Sequence, residues 1–328
     1  PKYAAISVFG NPHEEKLCPS NPKVRRIVLG DIGGLIETYE PDGIVLDYIR
    51  FESPMGGLTR MFTCFCENCI KDMKDRGYNP YKIKQDVVHF IRDIRRLDSR
   101  ELSILIENSP SLFLFTYGLV KYSGLLDFIQ YRIEVIGEFL DIIYEHVKNF
   151  SSKIMVLACV LSPWWSIFAG QDYSRLSQSL DILEPMLYHD WILWEGTTFV
   201  QDLAKGSIGG LKDLYTLVYK WIGLYRKENF EEILTDTLEP EDIKRAIQVS
   251  KILAGSTPVI PVLMTNKINI THKYLKKNLS NLKRQTPEFL RKIGEAAREA
   301  KGLTIFTIRE NNWENVVALL EGFTGQRL

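Results

Sequence analysis

The sequence has no long apolar run and nothing that resembles a secretory signal. A helix that spans a bilayer needs roughly 18–20 apolar residues, and no uninterrupted apolar run among the 328 residues is that long. The first residues also do not have the charged-then-apolar pattern of a signal peptide. We therefore predict a cytoplasmic protein with no membrane partner.

The chain also has no excess of either charge and no nucleotide-binding motif. Lys+Arg and Asp+Glu each number 41, so the formal net charge is zero, which argues against a nucleic-acid partner. Neither GxGxxG nor GxxxxGK[ST] occurs, so nothing supports a nucleotide cofactor. There is no internal repeat and no Ser/Gly-rich linker, which favours a single domain over residues 1–328. The sequence leaves the oligomeric state open.

What the chain does contain is an alternation of short apolar runs and amphipathic segments. This pattern predicts an α/β protein with a parallel sheet and helices outside it. We expect a (β/α)8 TIM-type barrel with helical insertions at about 70–125 and 192–254. Strands are predicted within 2–10, 43–46, 153–161, 180–188, 258–264 and 303–308. A closed barrel needs eight strands. Either two strands hide in irregular stretches such as 111–117, or the first two βα units lie upstream of Pro1.

Polar and aromatic residues follow almost every predicted strand. The apolar run 43–46 reads as a strand buried on both faces, and Asp47, Tyr48 and Arg50 come directly after it. In α/β folds the chemistry lies at the carboxyl ends of the strands, so Asp47 is the first catalytic candidate. Its alternative is a structural carboxylate that pairs with Arg50 or caps a loop amide. The candidates that follow the other strands are Trp164, Trp165, Tyr188, His189, Asp190 and Glu310.

The five cysteines are the sharper chemical signal. Cys64, Cys66 and Cys69 bring three thiolates close together, which suits a soft tetrahedral metal. Cys18 lies in a neighbouring loop and supplies a fourth ligand, whereas Cys159 falls inside a predicted strand. We predict a structural zinc, because a closed site of four cysteines leaves no position for water. Free thiols in a reducing cell, or an iron–sulfur or redox site, are the alternatives.

Several segments resemble a group of glycoside-hydrolase TIM barrels known mostly as hypothetical glycosyl hydrolases or family-10-like hydrolases. They are Leu17-Cys-Pro-Ser-Asn-Pro-Lys-Val-Arg25, Asp42-Gly-Ile-Val-Leu-Asp-Tyr-Ile-Arg-Phe51, Gln171-Asp-Tyr-Ser-Arg-Leu176 and Asp181-Ile-Leu-Glu-Pro-Met-Leu-Tyr-His189. In those relatives the segment like 2–10 is the third barrel strand, which favours two missing βα units. The four clustered cysteines are similar to the zinc site of family-42 β-galactosidases, but the catalytic glutamates of that family have no counterpart here.

The resemblance implies hydrolysis of a carbohydrate substrate. In sugar hydrolases of the α-galactosidase and polygalactosaminidase kind, an Asp at the end of the fourth strand is the nucleophile, which implies that role for Asp47. Asp190 or Glu310 is the expected general acid/base, and Glu184 has the right strand parity but a buried position. We expect Tyr48, Arg50, Trp164, Trp165, Tyr188 and His189 to bind the substrate. The rival hypothesis is a carbohydrate-binding or scaffold barrel that has the zinc but no working pair of carboxylates.

Overall fold

The computed structural model describes residues 2–98, 100–101, 104, 111–188, 200, 202, 216, 238–265, 271–272, 277–278, 286–306 and 313–327. Its strands are β1 (Ala4–Ile6), β2 (Pro12–Leu17), β3 (Gly43–Leu46), β4 (Met155–Val160), β5 (Ile182–Pro185), β6 (Val262–Met264), β7 (Thr271–His272), β8 (Lys277–Asn278) and β9 (Thr304–Phe306).

The helices lie between and after these strands. They are α1 (Pro22–Tyr39), α2 (Gly57–Met61), α3 (Glu67–Asp75), α4 (Pro80–Arg96), α5 (Ser111–Lys121), α6 (Ser123–Phe150), α7 (Tyr173–Leu176), α8 (Pro240–Ala254), α9 (Pro287–Ala296) and α10 (Trp313–Thr324). Short 3-10 turns occupy Pro54–Gly56, Ser166–Ala169 and Ser177–Ser179. Within the described ranges, no helix is both long enough and apolar enough to cross a membrane. Most of the insertion predicted at 192–254 lies outside those ranges.

Parallel strands form the centre of the molecule. β3, β4 and β5 make one parallel sheet in that order, with Leu46 opposite Ala158 and Cys159 opposite Glu184. β6 and β9 make a parallel pair. Two single parallel bridges, from Leu183 on β5 to Val259 and from Met186 to Val262 on β6, connect the segments that contain β5 and β6. The two parallel sheets are therefore neighbours.

The expectation of a (β/α)8 TIM-type barrel is wrong. Over the residues that the structure describes, the sheets have two or three strands and no closed eight-stranded barrel is present. β1 pairs antiparallel with β2 instead of parallel with β3, because the chain turns back at residues 7–11, where the Ser7 amide donates to the Asn11 carbonyl. Residues 111–117, offered as a hidden strand, belong to helix α5.

Among the described residues, strand β3 is covered on one face. Leu46, Ala158 and Leu183 are buried in the main apolar core together with one side of the long helix α6. On the opposite face of β3, Val45 is 55 % exposed. The prediction that this strand is buried on both faces is therefore wrong, and the reason is that the described helices pack against a single side of it.

Helix starts follow local chemistry closely. The side chain of Asn21 accepts a hydrogen bond from the Lys23 amide and Pro22 opens α1, as expected for an N-cap followed by proline. Among the described helices, α6 is the longest and buries the most side chains in the core. Its inward side chains include Phe128, Tyr131, Val135, Ile136, Phe139, Leu140, Ile143 and Val147.

Candidate functional site

The four cysteines predicted as metal ligands lie together. The sulfur atoms of Cys18, Cys64, Cys66 and Cys69 are all within 4.8 Å of one another. Cys18 Sγ is 3.4 Å from Cys69 Sγ and 3.5 Å from Cys66 Sγ. In a tetrahedral zinc site with Zn–S bonds of about 2.3 Å, the sulfurs are about 3.8 Å apart. The arrangement is therefore of the right size to hold a metal ion.

Local structure brings these sulfurs together. Cys18 follows β2, and its amide donates to the Tyr3 carbonyl across the β1–β2 hairpin. Cys66 is the N-cap of α3, and Cys69 lies in the first turn of that helix. The amide of Ile6, on β1, donates to Cys64 Sγ at 3.2 Å. The hairpin and the start of α3 thus supply the ligands from two sides.

The cluster is buried and its sulfurs share hydrogen bonds. Cys18, Cys64 and Cys69 are at most 1 % exposed. Hydrogen bonds from Cys18, and then from Cys64 and Cys69, hold the pKa of Cys66 well below its usual range. Hydrogen bonds with Cys64 and Cys66 raise the pKa of Cys18, and burial raises the pKa of Cys69. The site therefore stabilises a thiolate at Cys66, and the thiolate is the form of cysteine that binds metals.

A chain of hydroxyl groups supports one side of the cluster. The Cys69 thiol donates to Ser20 Oγ at 3.4 Å, and Ser20 Oγ is 2.8 Å from the Tyr131 hydroxyl on α6. Tyr131 in turn donates to Asp72 Oδ2 at 3.0 Å. Such outer contacts fix the orientation of metal ligands.

Asp47 lies at the carboxyl end of β3 and is exposed, as expected. Its Oδ1 accepts a hydrogen bond of 2.7 Å from the amide of Tyr48. Tyr48 has a positive φ of 60°, a left-handed conformation that is uncommon for an aromatic residue. Asp47 therefore does cap a loop amide, and its second oxygen remains for another partner.

Asp47 borders a cleft of about 700 Å³. The charged residues that line it are Glu15, Lys16, Asp47, Arg50, Glu52 and Arg60. Val24, Val28 and Phe139 supply an apolar wall from α1 and α6. Tyr48, which is 55 % exposed, presents its ring to the same cleft. The cleft therefore combines charged groups, an aromatic surface and an apolar wall.

Arg50 and Glu52 form a buried charged pair beside Asp47. Glu52 lies 3.9 Å from Arg50 and 3.8 Å from Lys16, so Arg50 pairs with Glu52 and not with Asp47. Arg50 Nε and Glu52 Oε2 are buried and have no hydrogen-bond partner among the described residues. Lys16 and Arg50 also lie over the Tyr48 ring, at 4.0 and 4.7 Å from its centroid. Burial lowers the pKa of Lys16, and the charge of Glu52 opposes this shift.

The other predicted site residues lie elsewhere. Trp164 and Trp165 are in the turn after β4 and are not among the residues that line the cleft within the described chain. Trp165 is buried against Phe168, at 6.2 Å between ring centroids. Tyr188 is buried and stacks on Phe306 at 5.0 Å. His189, Asp190 and Glu310 lie outside the described residues.

Tyr188 nevertheless belongs to the surroundings of Asp47. Burial raises the pKa of Tyr188, and the charges of Cys159 and Asp47 act in the same direction. Burial also raises the pKa of Cys159 to about 12, together with the charges of Glu184 and Asp47. Glu184 is buried and accepts a hydrogen bond of 2.7 Å from the Thr304 hydroxyl.

Sequence reasoning passed over Lys16 and Glu52 as site residues. The sequence does place both residues close to predicted site residues. Glu52 lies five positions after Asp47 in the same polar loop, and Lys16 lies two positions before Cys18. The sequence pattern does not show that β2 turns back onto β1 and brings Lys16 to the loop after β3.

Comparison with known proteins adds no relative. No protein-family model matches the chain, and a search of curated proteins finds no match either. The resemblance to glycoside hydrolases therefore depends on the segments quoted above.

Proposed function

We propose that the protein is a glycoside hydrolase whose cleft binds a sugar next to Asp47. One observation carries the proposal. An exposed carboxylate, Asp47, shares a cleft with the Tyr48 ring and with the charged residues Lys16, Arg50 and Glu52. A sugar hydroxyl both donates and accepts hydrogen bonds, so the Asp47 carboxylate suits the hydroxyls of a sugar bound in the cleft. The exposed ring of Tyr48 offers a surface for the apolar side of a sugar ring.

The proposed chemistry uses Asp47 as the nucleophile or as a stabiliser of the oxocarbenium-like transition state. Retaining enzymes place two carboxyl groups about 5–5.5 Å apart, and inverting enzymes about 6.5–9.5 Å. Glu52 lines the same cleft, but its carboxyl group already pairs with Lys16 and Arg50. A carboxyl group that two cations engage is poorly placed to donate a proton to a leaving group. We therefore keep Asp190 or Glu310 as the proposed general acid.

The ion pairing of Glu52 also favours a second candidate function. If no acid can protonate the leaving group, the same cleft binds carbohydrate without cleaving it. Hydrogen bonds that Asp47 accepts from sugar hydroxyls and stacking on Tyr48 need no general acid, so binding would persist. A measurement of turnover distinguishes the hydrolase from the carbohydrate-binding protein.

The test is hydrolysis of a panel of aryl α- and β-glycosides and galactosamine oligomers by the wild type and by Asp47→Asn. The matched control is Asp42→Asn, which changes an aspartate at the opposite end of the same strand. We expect turnover by the wild type and the control, and a loss of roughly 100-fold or more in Asp47→Asn with unchanged melting. Binding of sugars without turnover in any protein would support the binding function. Neither binding nor turnover would refute both.

We further propose that the metal of the four-cysteine cluster is zinc and that its role is structural. Four thiolates favour soft metals, and a site with four protein ligands leaves no position for a catalytic water. A hydrolase that used the metal directly would need such an open position. Elemental analysis of the purified protein should give one zinc per chain in the wild type and in Cys159→Ser, and less in Cys69→Ser.

A further inference from the structure

Helix α6 carries a buried cation next to the cysteine cluster. Arg132 is 1 % exposed, and a charge in such a position is costly unless other charges or hydrogen bonds compensate for it. Its guanidinium donates to the carbonyls of Thr63, Met61 and Phe168, with Nε at 2.9 Å from the Thr63 oxygen. Those partners are neutral backbone groups. The hydrogen bonds satisfy the donors of Arg132 but do not neutralise its charge.

Within the described chain, the groups that can act on Arg132 as anions are Glu52, Cys64 and Cys69. The two cysteines are thiolates when the cluster binds a metal. Glu52 already lies 3.8 Å from Lys16 and 3.9 Å from Arg50, so its charge is shared with two other cations. Burial lowers the pKa of Arg132 to about 9, whereas Glu52, Cys64 and Cys69 act to raise it. The metal-bound cysteine cluster is thus the other anionic group near Arg132 in the described part of the chain.

The metal-bound cysteine cluster is a buried negative charge that needs compensation. A divalent ion with four thiolates carries a net charge of −2, and three of the four sulfurs are at most 1 % exposed. A buried negative charge of this size needs a positive charge nearby. Arg132 binds the carbonyl of Thr63, the residue that precedes Cys64. The rings of Phe51 and Phe128 lie 4.9 and 4.5 Å from its guanidinium carbon and exclude water from one side.

We infer that Arg132 is the counter-charge of the metal centre and that it increases the affinity of the four-cysteine cluster for the metal. The inference rests on the proposed metal site and extends it. Arg132 is a positioning and electrostatic residue, not a ligand. Outer contacts of this kind change metal affinity by roughly 10- to 100-fold when they are removed, so the effect is within reach of a direct titration.

The experiment is a competition titration of zinc between the full-length protein and a chromogenic chelator. It compares the wild type with Arg132→Met, Arg132→Gln and Arg132→Lys. We expect about 10- to 100-fold weaker zinc binding by Arg132→Met and Arg132→Gln. Arg132→Lys restores the positive charge and should regain most of the lost zinc affinity. Cobalt substitution, read from the thiolate-to-metal absorption, should give a tetrathiolate spectrum in every variant, because the ligands are unchanged.

Arg25→Met is the matched control. Arg25 is also a largely buried arginine, donates to the carbonyls of Pro19 and Val135, and lies over an aromatic ring. The carboxylates that act on it are Glu138 and Asp72, not thiolates. We expect Arg25→Met to lose stability and to bind zinc as the wild type does. Equal losses of zinc affinity in Arg25→Met and Arg132→Met would overturn the inference, because packing alone would then explain both.

The Glu52→Gln variant tests the role of Arg132 even if Arg132→Met does not fold. It removes an anion that competes for Arg132, so we expect zinc affinity that is equal or higher. Weaker zinc binding by Glu52→Gln would contradict the inference. A wild-type protein that binds no zinc would refute the proposed metal centre itself, whereas zinc binding that is the same in all Arg132 variants would refute only the role of Arg132.

Discussion

Removal of the proposed zinc is the perturbation with the largest expected effect on the fold. The four sulfurs join the β1–β2 hairpin to the start of α3, and most of them are fully buried in the main apolar core. Apparent binding free energies of structural zinc are about 10–16 kcal/mol at pH 7. Those values are comparable with the whole stability of a domain, about 5–15 kcal/mol. The hairpin and α3 should therefore depend strongly on the metal.

The size of the effect follows from linkage. Free zinc at about 1,000 times its dissociation constant stabilises the folded state by about 4 kcal/mol. For a chain of this length, 1 kcal/mol corresponds to a shift of about 2 °C in melting temperature. Chelation should therefore lower the melting temperature by roughly 8 °C, and added zinc should restore it. At 25 °C, the turnover of the proposed hydrolase should fall less than its stability, because a zinc with four protein ligands leaves no open position for a substrate.

The assay is a thermal melt of the protein before chelation, after chelation and after zinc is restored, with metal content measured in each sample. Cys69→Ser should resemble the chelated protein, and Cys159→Ser, whose sulfur lies outside the cluster, should resemble the wild type in metal content. The reasoning would be refuted by a protein that has lost its metal but melts at an unchanged temperature. Immediate loss of turnover without a change in melting would indicate a catalytic metal.

Two further predictions concern single positions. Gly170 and Gly10 both have a positive φ, but a Cβ at Gly170 would lie 2.6 Å from the Arg132 carbonyl oxygen, whereas one at Gly10 would meet nothing within 4 Å. Gly10→Ala should cost about 1–2 kcal/mol of unfolding free energy, and Gly170→Ala clearly more, by denaturant unfolding; equal losses would contradict the close approach. The Tyr122 hydroxyl, which donates to Asp93, is the main group that lowers the pKa of Asp93 to about 2. A lowered pKa in the folded state means that this stabilisation is present above the unfolded value of about 3.9 and is lost as the pH falls towards 2. The stability difference between the wild type and Asp93→Asn should shrink over that range, and a difference that does not depend on pH would refute the assignment.

The cysteine cluster was predictable because its information is mostly local. Cys64, Cys66 and Cys69 lie within one turn and the start of a helix, so their spacing alone places them together. Cys18 was assigned from the order of the loops, and the structure confirms that all four sulfurs are close. Cys159 was correctly left out, since it lies on β4 with its sulfur 3.8 Å from Glu184.

The sequence predicts the positions of the strands but not their pairing. β3, β4, β5, β6 and β9 all fall within runs that the apolar pattern predicts as strands. Which strands pair, and whether a sheet closes, depends on contacts between residues far apart in the chain, and these leave no mark on local hydrophobic periodicity. The first strand shows why. Its composition suits a parallel or an antiparallel partner equally well. The turn at residues 7–11 brings β2 alongside β1, so the two strands pair antiparallel.

The site around Asp47 differs from the prediction for a related reason. Sequence reasoning places side chains at the ends of strands, but it does not show which of them turn inwards. Arg50 and Glu52 follow Asp47 in one loop, and the structure buries both while it leaves Asp47 exposed. Trp164 and Trp165 were expected to bind the substrate, with packing of one of them under the loop as the alternative, and Trp165 is packed against Phe168. Burial of loop side chains is set by the surrounding elements, here β2 and α6.

The metal cluster and the cleft are not independent of each other. Glu52 lines the cleft, and its charge also acts on Arg132, whose other anionic neighbours are cluster thiolates. Loss of the metal changes the charge that faces Arg132, and the remaining anion that can respond is Glu52. Its ion pairs with Lys16 and Arg50, which also line the cleft, would then have to adjust, and the charges that face a bound sugar would change. A structural metal would in this way influence sugar binding without touching the sugar, and sugar affinity should fall with zinc content even at temperatures where the chain remains folded.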